Sequence, residues 1–173
     1  AITGLILPFA TPLANLVTRL VKEPPKTEDV AQPRYLDPHV LDSPPLALGQ
    51  ATREAIRMAD LVQGMYKDTL LVFTRDNPEM IEDIETRENW VDNLNREIKL
   101  YLTKLSQSSL SQEQLQREMA LLATINDLEN IGDIIDKNLM ELARKKIYKG
   151  LRFSDQGLKE IVDLHQMVAH NFE

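Results

Sequence analysis

The chain has 173 residues, which is enough for one domain with a buried core. Its net charge of −7 argues against nucleic acid as a partner, because a nucleic-acid-binding surface needs an excess of lysine and arginine. The absence of cysteine excludes disulfides, zinc–thiolate sites and cysteine catalysis. The low content of aromatic residues and glycine favours helices over sheets.

Residues 2–21 form the only strongly apolar run in the sequence. A run of about 20 apolar residues is long enough to span a bilayer as a helix. Two prolines, an asparagine and Arg19 interrupt this run, so two interpretations stay open. Residues 1–22 are either a packed apolar helix or the end of a membrane helix, whose basic flank would mark the cytoplasmic side.

Residues 23–45 hold six of the nine prolines. Proline fixes φ and removes a backbone donor, so this segment is predicted to be an extended connector. It also contains four larger apolar side chains, Tyr35, Leu36, Val40 and Leu41. These side chains predict that the connector is strapped onto the helices that follow, although a plain linker is the alternative.

Apolar residues recur at intervals of three and four from residue 47 to 74, which predicts a long amphipathic helix. Asn77 and Pro78 then predict the start of a second helix, with Asn77 as its N-cap and Pro78 at its first position. This second helix is expected to end near Ser106.

Ser111 and Gln114 have the spacing of a capping box, which predicts the start of a third helix that continues to about Tyr148. Gly150 can terminate it, and Ser154 is a predicted N-cap for a fourth helix. Residues 46–173 are therefore predicted to form an all-α domain, an antiparallel bundle of long helices joined by short turns.

Two acidic pairs with i,i+4 spacing lie on consecutive helices. Glu88 and Asp92 are on the second helix, where Arg87 and Glu88 also interrupt the apolar stripe. Glu129 and Asp133 are on the third helix. Polar residues at an expected core position indicate either a fault or a functional site.

Helical spacing places Asn126, Glu129, Asp133 and Asp136 on one face of the third helix. We predict metal ligands at Glu88, Asp92, Glu129 and Asp133, with Asn126 and Asp136 as candidates for the surrounding polar shell. Oxygen ligands suit magnesium, calcium, manganese or iron. A solvated acidic face, or salt bridges to Arg87, Arg96 and Lys137, is the alternative.

The sequence offers no arrangement of groups for catalysis. It contains no Ser/His/Asp combination and no glycine-rich loop of the phosphate-binding type, so we expect neither enzyme activity nor a direct phosphate site. A di-iron helical-bundle enzyme would normally need Glu-x-x-His pairs, and neither acidic pair has its histidine.

The segment INDLENIGDII, residues 125–135, resembles the repeated N-D-L-E-R-I-G-D motif of PhoU-like domains, and Glu88 with Asp92 resembles the acidic element on the family's preceding helix. The apolar run followed by YLDPHVLDSPPLALGQATREAIRMA, residues 35–59, resembles the junction between the last membrane helix and the C-terminal PhoU-like domain of a bacterial sodium/phosphate cotransporter. Asn130 stands where the family usually has arginine.

This resemblance implies a non-enzymatic regulatory domain at the cytoplasmic face of the inner membrane of a bacterium. Its partner would be the transmembrane domain of the same sodium-dependent phosphate transporter. The resemblance also adds iron or zinc to magnesium and manganese as metals for the acidic pairs. A stand-alone PhoU-like adaptor that regulates phosphate uptake and signalling is the alternative.

The family fold consists of two three-helix repeats, whereas this chain contains one repeat and one further helix, which resembles either the opening helix of a second repeat or a closing fourth helix. We therefore expect either a fragment of a longer protein or a one-repeat version that completes itself as a homo-oligomer.

Overall fold

The computed structural model describes residues 31–172, and every regular element within them is helical. A 3₁₀ helix (Pro38–Val40) leads into α1 (Pro44–Arg75) and α2 (Pro78–Leu105). A continuous third helix follows, made of α3 (Gln112–Asp133), a π-helix (Ile134–Met140) and α4 (Glu141–Lys149), and α5 (Asp155–His170) comes last. The predicted all-α bundle is confirmed. The predicted apolar segment 1–22 and the first part of the connector lie outside the described residues.

The predicted helix caps are present. Asn77 accepts a hydrogen bond from the backbone N–H of Glu79 at 2.9 Å, and Ser111 forms the complete capping box with Gln114. Ser154 caps α5 by accepting from the N–H of Gly157 at 3.1 Å. Each cap satisfies a backbone donor that the first turn of a helix leaves without a partner, so these residues fix where the helices begin.

The core lies between α1, α2 and the third helix. Its fully buried side chains include Met58 and Met65 of α1, Leu94 and Ile98 of α2, and Ile125 of α3. The helices approach one another closely near Gly132, where an added methyl group would lie 3.5 Å from Cγ1 of Val91. α2 and α3 are therefore in tight contact at the level of the acidic residues.

The described part of the connector, residues 31–43, is strapped onto the bundle as predicted. Leu36, Val40 and Leu41 pack against the core. The hydroxyl of Tyr101 donates to the backbone carbonyl of Asp37 at 3.0 Å, and Asn93 donates to the carbonyl of Ala31. We call residues 31–41 the strap.

Glu54 of α1 holds the strap in place. Its side chain is fully buried, and one carboxylate oxygen accepts from the backbone N–H groups of Arg34 at 2.8 Å and Tyr35 at 2.9 Å. The other oxygen accepts from Nε of Arg57 at 2.6 Å. A buried carboxylate is tolerated when its lone pairs are satisfied in this way.

α5 is attached more loosely, since none of its residues is fully buried. The ring of His165 stacks on the ring of Tyr66 in α1 with centroids 4.5 Å apart, and Nε2 of His165 lies 2.9 Å from the Tyr66 carbonyl oxygen. Phe172 packs against the same tyrosine with ring centroids 5.7 Å apart. The fourth helix therefore depends on a small aromatic cluster.

Replacing Glu54 with alanine should lower the free energy of unfolding by about 3 kcal/mol, because the strap loses two hydrogen bonds to a charged group and Arg57 loses its ion-pair partner. Urea unfolding measures this loss, and hydrogen exchange should show faster exchange in residues 31–41. Asp60→Ala, at an exposed position of the same helix, is the matched control and should change stability by less than about 0.5 kcal/mol. An equal loss in both variants would contradict this role for Glu54.

Candidate functional site

An acidic cluster lies between α2 and the third helix. Glu88 is buried, with 7% of its surface exposed, and its electrostatic neighbours include Asp92 of the same helix and Asp133 and Asp136 across the interface. The cluster is positioned by the close approach of α2 and α3 at Val91 and Gly132. The structure therefore brings together three of the four predicted ligands, Glu88 and Asp92 of α2 and Asp133 of α3.

Glu88 is the most perturbed carboxyl group of the cluster. Burial and, after it, the negative charges of Asp92, Asp136 and Asp133 together raise its pKa to about 7, whereas Lys137 opposes them. Both effects disfavour the charged form of the carboxyl group. Glu88 therefore changes its protonation state near neutral pH, unlike an ordinary surface glutamate.

Asp136 belongs to the cluster, although the sequence indicated only a peripheral role. Burial raises its pKa, as does the negative charge of Glu85, while Arg144 and Lys137 lower it. Its Oδ1 atom is buried and has no hydrogen-bond partner among residues 31–172. A buried acceptor without a partner is costly, so this oxygen is a candidate for binding a proton or a cation.

The predicted salt bridge to Lys137 is present. Nζ of Lys137 lies 2.5 Å from Oδ1 of Asp133, one helical turn away. Arg87, in contrast, forms ion pairs with Asp68 of α1 and Asp83 of α2, both at 2.6 Å. One carboxylate of the cluster is therefore compensated by a cation, and Arg87 serves the contact between α1 and α2.

Glu129 and Asn126 are placed differently. Glu129 is half-buried but is not among the charges that dominate the environment of Glu88, and Asn126 is exposed. The structure therefore groups Glu88, Asp92, Asp133 and Asp136, and we call these four residues the acidic cluster. Glu129 stays a predicted ligand, but it is not part of the acidic cluster.

A π-helix adjoins the acidic cluster. Residues 134–140, which include Asp136, follow a π-helical path that begins directly after Asp133. A π-helix has i→i+5 hydrogen bonds and more residues per turn than an α-helix. Such segments occur frequently at functional sites.

The negative charge of the acidic cluster suits a divalent cation, but the present positions of its side chains do not. Four carboxyl groups share one region, and Asp136 has a buried oxygen without a partner. However, no three histidine, aspartate or glutamate side chains converge as a metal-binding group within residues 31–172. Cation binding would require these carboxylates to turn toward a common point.

Sequence reasoning missed two buried glutamates. Glu54 anchors the strap, and Glu118 of α3 is 4% exposed, so that burial raises its pKa. A usable signal existed for Glu54, because it lies three residues after Ala51 and four before Met58, on the apolar stripe of α1. A similar signal existed for Glu118, because it lies seven residues before Ile125 and therefore on the apolar stripe of α3.

Residues 55–143 match the family model described as "PhoU domain". The chain is 28% identical over 168 residues to the protein named "Putative inorganic phosphate export protein YjbB" from Escherichia coli K12, and equally identical to its namesake from Shigella flexneri. The namesake from Salmonella typhimurium LT2 is 29% identical. Each match covers 97% of this chain and 31% of the relative, so the chain spans about a third of these relatives.

No solved structure gives a significant match to the chain. Among residues 31–172, no helix is both long enough and apolar enough to cross a membrane.

The raised pKa of Glu88 predicts a pH-dependent stability. Between its ordinary value of 4.5 and about 7, the folded protein binds more protons than the unfolded chain. Stability should therefore be highest near pH 4.5 and fall as the pH rises to 7, by up to about 3 kcal/mol from this group. Glu88→Gln should remove this fall and be more stable than the parent protein at about pH 8.

Chemical unfolding at a series of pH values, with chelator present, measures this dependence. Asp127→Asn, at an exposed position of α3, is the control and should keep the parent pH profile. An unchanged profile in Glu88→Gln would show that Glu88 does not titrate in this range.

Proposed function

Because the chain belongs to the PhoU domain family, we propose that it acts as a non-catalytic regulatory domain in phosphate transport. The names of its relatives support phosphate as the transported ion, since each is described as an inorganic phosphate export protein. The absence of a catalytic constellation in the sequence supports a regulatory role.

In this proposal the domain belongs to a longer transporter. The relatives are about three times as long as the match, which leaves room in them for a transporting part. Residues 1–22 would be the end of a membrane helix, and the bundle would lie at the cytoplasmic face of the bacterial inner membrane. Sodium coupling rests on the resemblance of residues 35–59 to the sodium/phosphate cotransporter junction.

The observation that carries the proposal is the attachment of the strap to α1 and α2. Glu54 binds two consecutive backbone N–H groups of the strap, and Tyr101 and Asn93 bind its carbonyl groups. A free linker would isolate the bundle from the residues before it. A strap held at several points instead carries a movement of the helices into the preceding chain.

The acidic cluster supplies a means of moving the helices. Asn93, which binds the carbonyl of Ala31, directly follows Asp92 in α2. A change in charge at Glu88 or Asp92 alters the repulsion between α2 and the third helix. Because α2 is rigid over this distance, its displacement would pull on the strap through Asn93.

The cluster would respond to protons and divalent cations. Magnesium, manganese, iron and zinc are all candidates, because carboxylates can supply ligands to each of them. A bound cation would offset the repulsion among the four carboxylates and so draw the two helices together. We include self-association in the proposal as well, since one three-helix repeat would be completed by a second copy.

Purified protein should gain thermal stability at about pH 8 when a divalent metal is added, and the gain should disappear in Asp133→Asn/Asp136→Asn. Metal analysis after dialysis measures occupancy directly. Asp127→Asn/Glu113→Gln removes the same charge from exposed positions of α3 and is the control. Equal stabilisation of all three proteins would place metal binding elsewhere.

Phosphate flux through the whole transporter tests the regulatory role. In vesicles containing the whole protein, Glu54→Ala should change the dependence of flux on phosphate or divalent metal by about fivefold or more, while flux remains. Asp60→Ala is the matched control. An unchanged dependence would contradict signalling through the strap. An undiminished effect on transport when the bundle is supplied as a separate chain would favour the stand-alone adaptor.

A further inference from the structure

One end of the bundle combines exposed apolar side chains with cations. Residues 144–152 contain five lysines and arginines and no carboxylate, in a chain whose net charge is −7. The apolar side chains among them are unusually exposed, at 91% for Tyr148 and 55% for Leu151. We call residues 142–153 the basic tip.

The backbone of the basic tip is held in a defined turn. Gly150 ends α4 with a positive φ of 61°, a left-handed conformation in which a residue with a Cβ would be strained. The N–H of Leu151 returns to the carbonyl of Lys146 at 3.0 Å. Beyond this turn Leu151 is exposed, and the ring centroid of Phe153 lies 5.3 Å from Nζ of Lys146.

Three of the five cations are neutralised within the domain. Arg144 pairs with Glu85, Lys145 with Glu141 at 2.6 Å, and Lys146 with Asp76 at 2.5 Å. Lys149 and Arg152 are exposed and have no ion-pair partner among residues 31–172. The positive charge available to a partner is therefore that of Lys149 and Arg152, on either side of Leu151.

An apolar groove of about 570 Å³ opens beside Arg152. Phe73, Leu142, Leu151 and Phe153 line it, and Arg152 is the exposed cation at its wall. Tyr148 borders a separate, smaller hollow that also contains Glu82, so an acidic group marks the margin of the surface. The basic tip therefore joins an apolar groove at Arg152 to the exposed ring of Tyr148 through the turn that carries Lys149.

We propose that the basic tip docks on an anionic phospholipid surface. Lysine and arginine contact lipid phosphates, tyrosine prefers the boundary between headgroups and acyl chains, and leucine and phenylalanine enter the acyl region. This combination matches Lys149 and Arg152 around Tyr148, Leu151 and Phe153.

Other occupants fit the basic tip less well. A second copy docking through the same surface would bring two pairs of unpaired cations together, which is unfavourable. A nucleic acid would use the cations but would leave Leu151 and the apolar groove without a partner. The inference stands on this surface alone and does not require the chain to be part of a transporter.

The absence of cysteine allows a probe at one site. An environment-sensitive fluorophore attached to Tyr148→Cys reports the basic tip alone, whatever residues 2–21 contribute to vesicle binding. Its emission should shift to the blue with vesicles of phosphatidylcholine and phosphatidylglycerol but not with phosphatidylcholine alone. The same fluorophore at Gln107→Cys, in the exposed turn between α2 and α3, should show no shift with either vesicle.

Neutralising the two unpaired cations should weaken the response. Lys149→Gln/Arg152→Gln should require roughly 25-fold more anionic lipid for half of the shift, because each lysine or arginine near such a surface contributes about fivefold. Lys104→Gln/Arg117→Gln, which removes a lysine and an arginine from other exposed positions, should leave the response unchanged.

Four results would overturn the inference. These are no shift with anionic vesicles, equal shifts with both kinds of vesicle, a shift caused by raising the protein concentration without lipid, and a shift produced by an RNA homopolymer. The third would assign the surface to contact between copies, and the fourth to nucleic acid.

Discussion

Repulsion among carboxylates between α2 and the third helix is the constraint on which this domain depends. The close approach of the two helices at Val91 and Gly132 brings Glu88 near Asp92, Asp133 and Asp136. An apolar interface would hold the helices together at every pH. Here the raised pKa of Glu88 makes part of this cohesion depend on pH, because burial and the neighbouring carboxylates disfavour the charged form of its carboxyl group.

Glu54 and Glu88 show that burial alone does not decide the role of a carboxyl group. Glu54 is surrounded by donors, two of them backbone N–H groups, and is therefore a fixed structural anchor. Glu88 is surrounded mainly by other carboxylates, and its pKa rises to about 7. Burial and the neighbouring negative charges therefore allow Glu88 to change its charge near neutral pH.

Much of the fold follows from the sequence, because caps and apolar periodicity are local signals. Asn77, Ser111 and Ser154 could be identified as N-caps from spacing alone, and the structure confirms them. The membership of the acidic cluster could not be derived in the same way. It depends on how the third helix packs against α2, which has no signature in the residues themselves. The apolar stripe of α1 could have indicated the burial of Glu54, but its partners, the backbone N–H groups of the strap, could not be derived from periodicity.

The position of the acidic cluster connects the two ends of the domain. On one side, Asp92 adjoins Asn93, which holds the first described residue of the strap. On the other, Asp136 lies near Glu85 and Arg144, and that ion pair joins α2 to the helix that carries the basic tip. A shift between α2 and the third helix cannot leave both of these contacts unchanged, since each joins a different part of the domain to α2. A change of charge at Glu88 would therefore be felt at the strap and at the basic tip together.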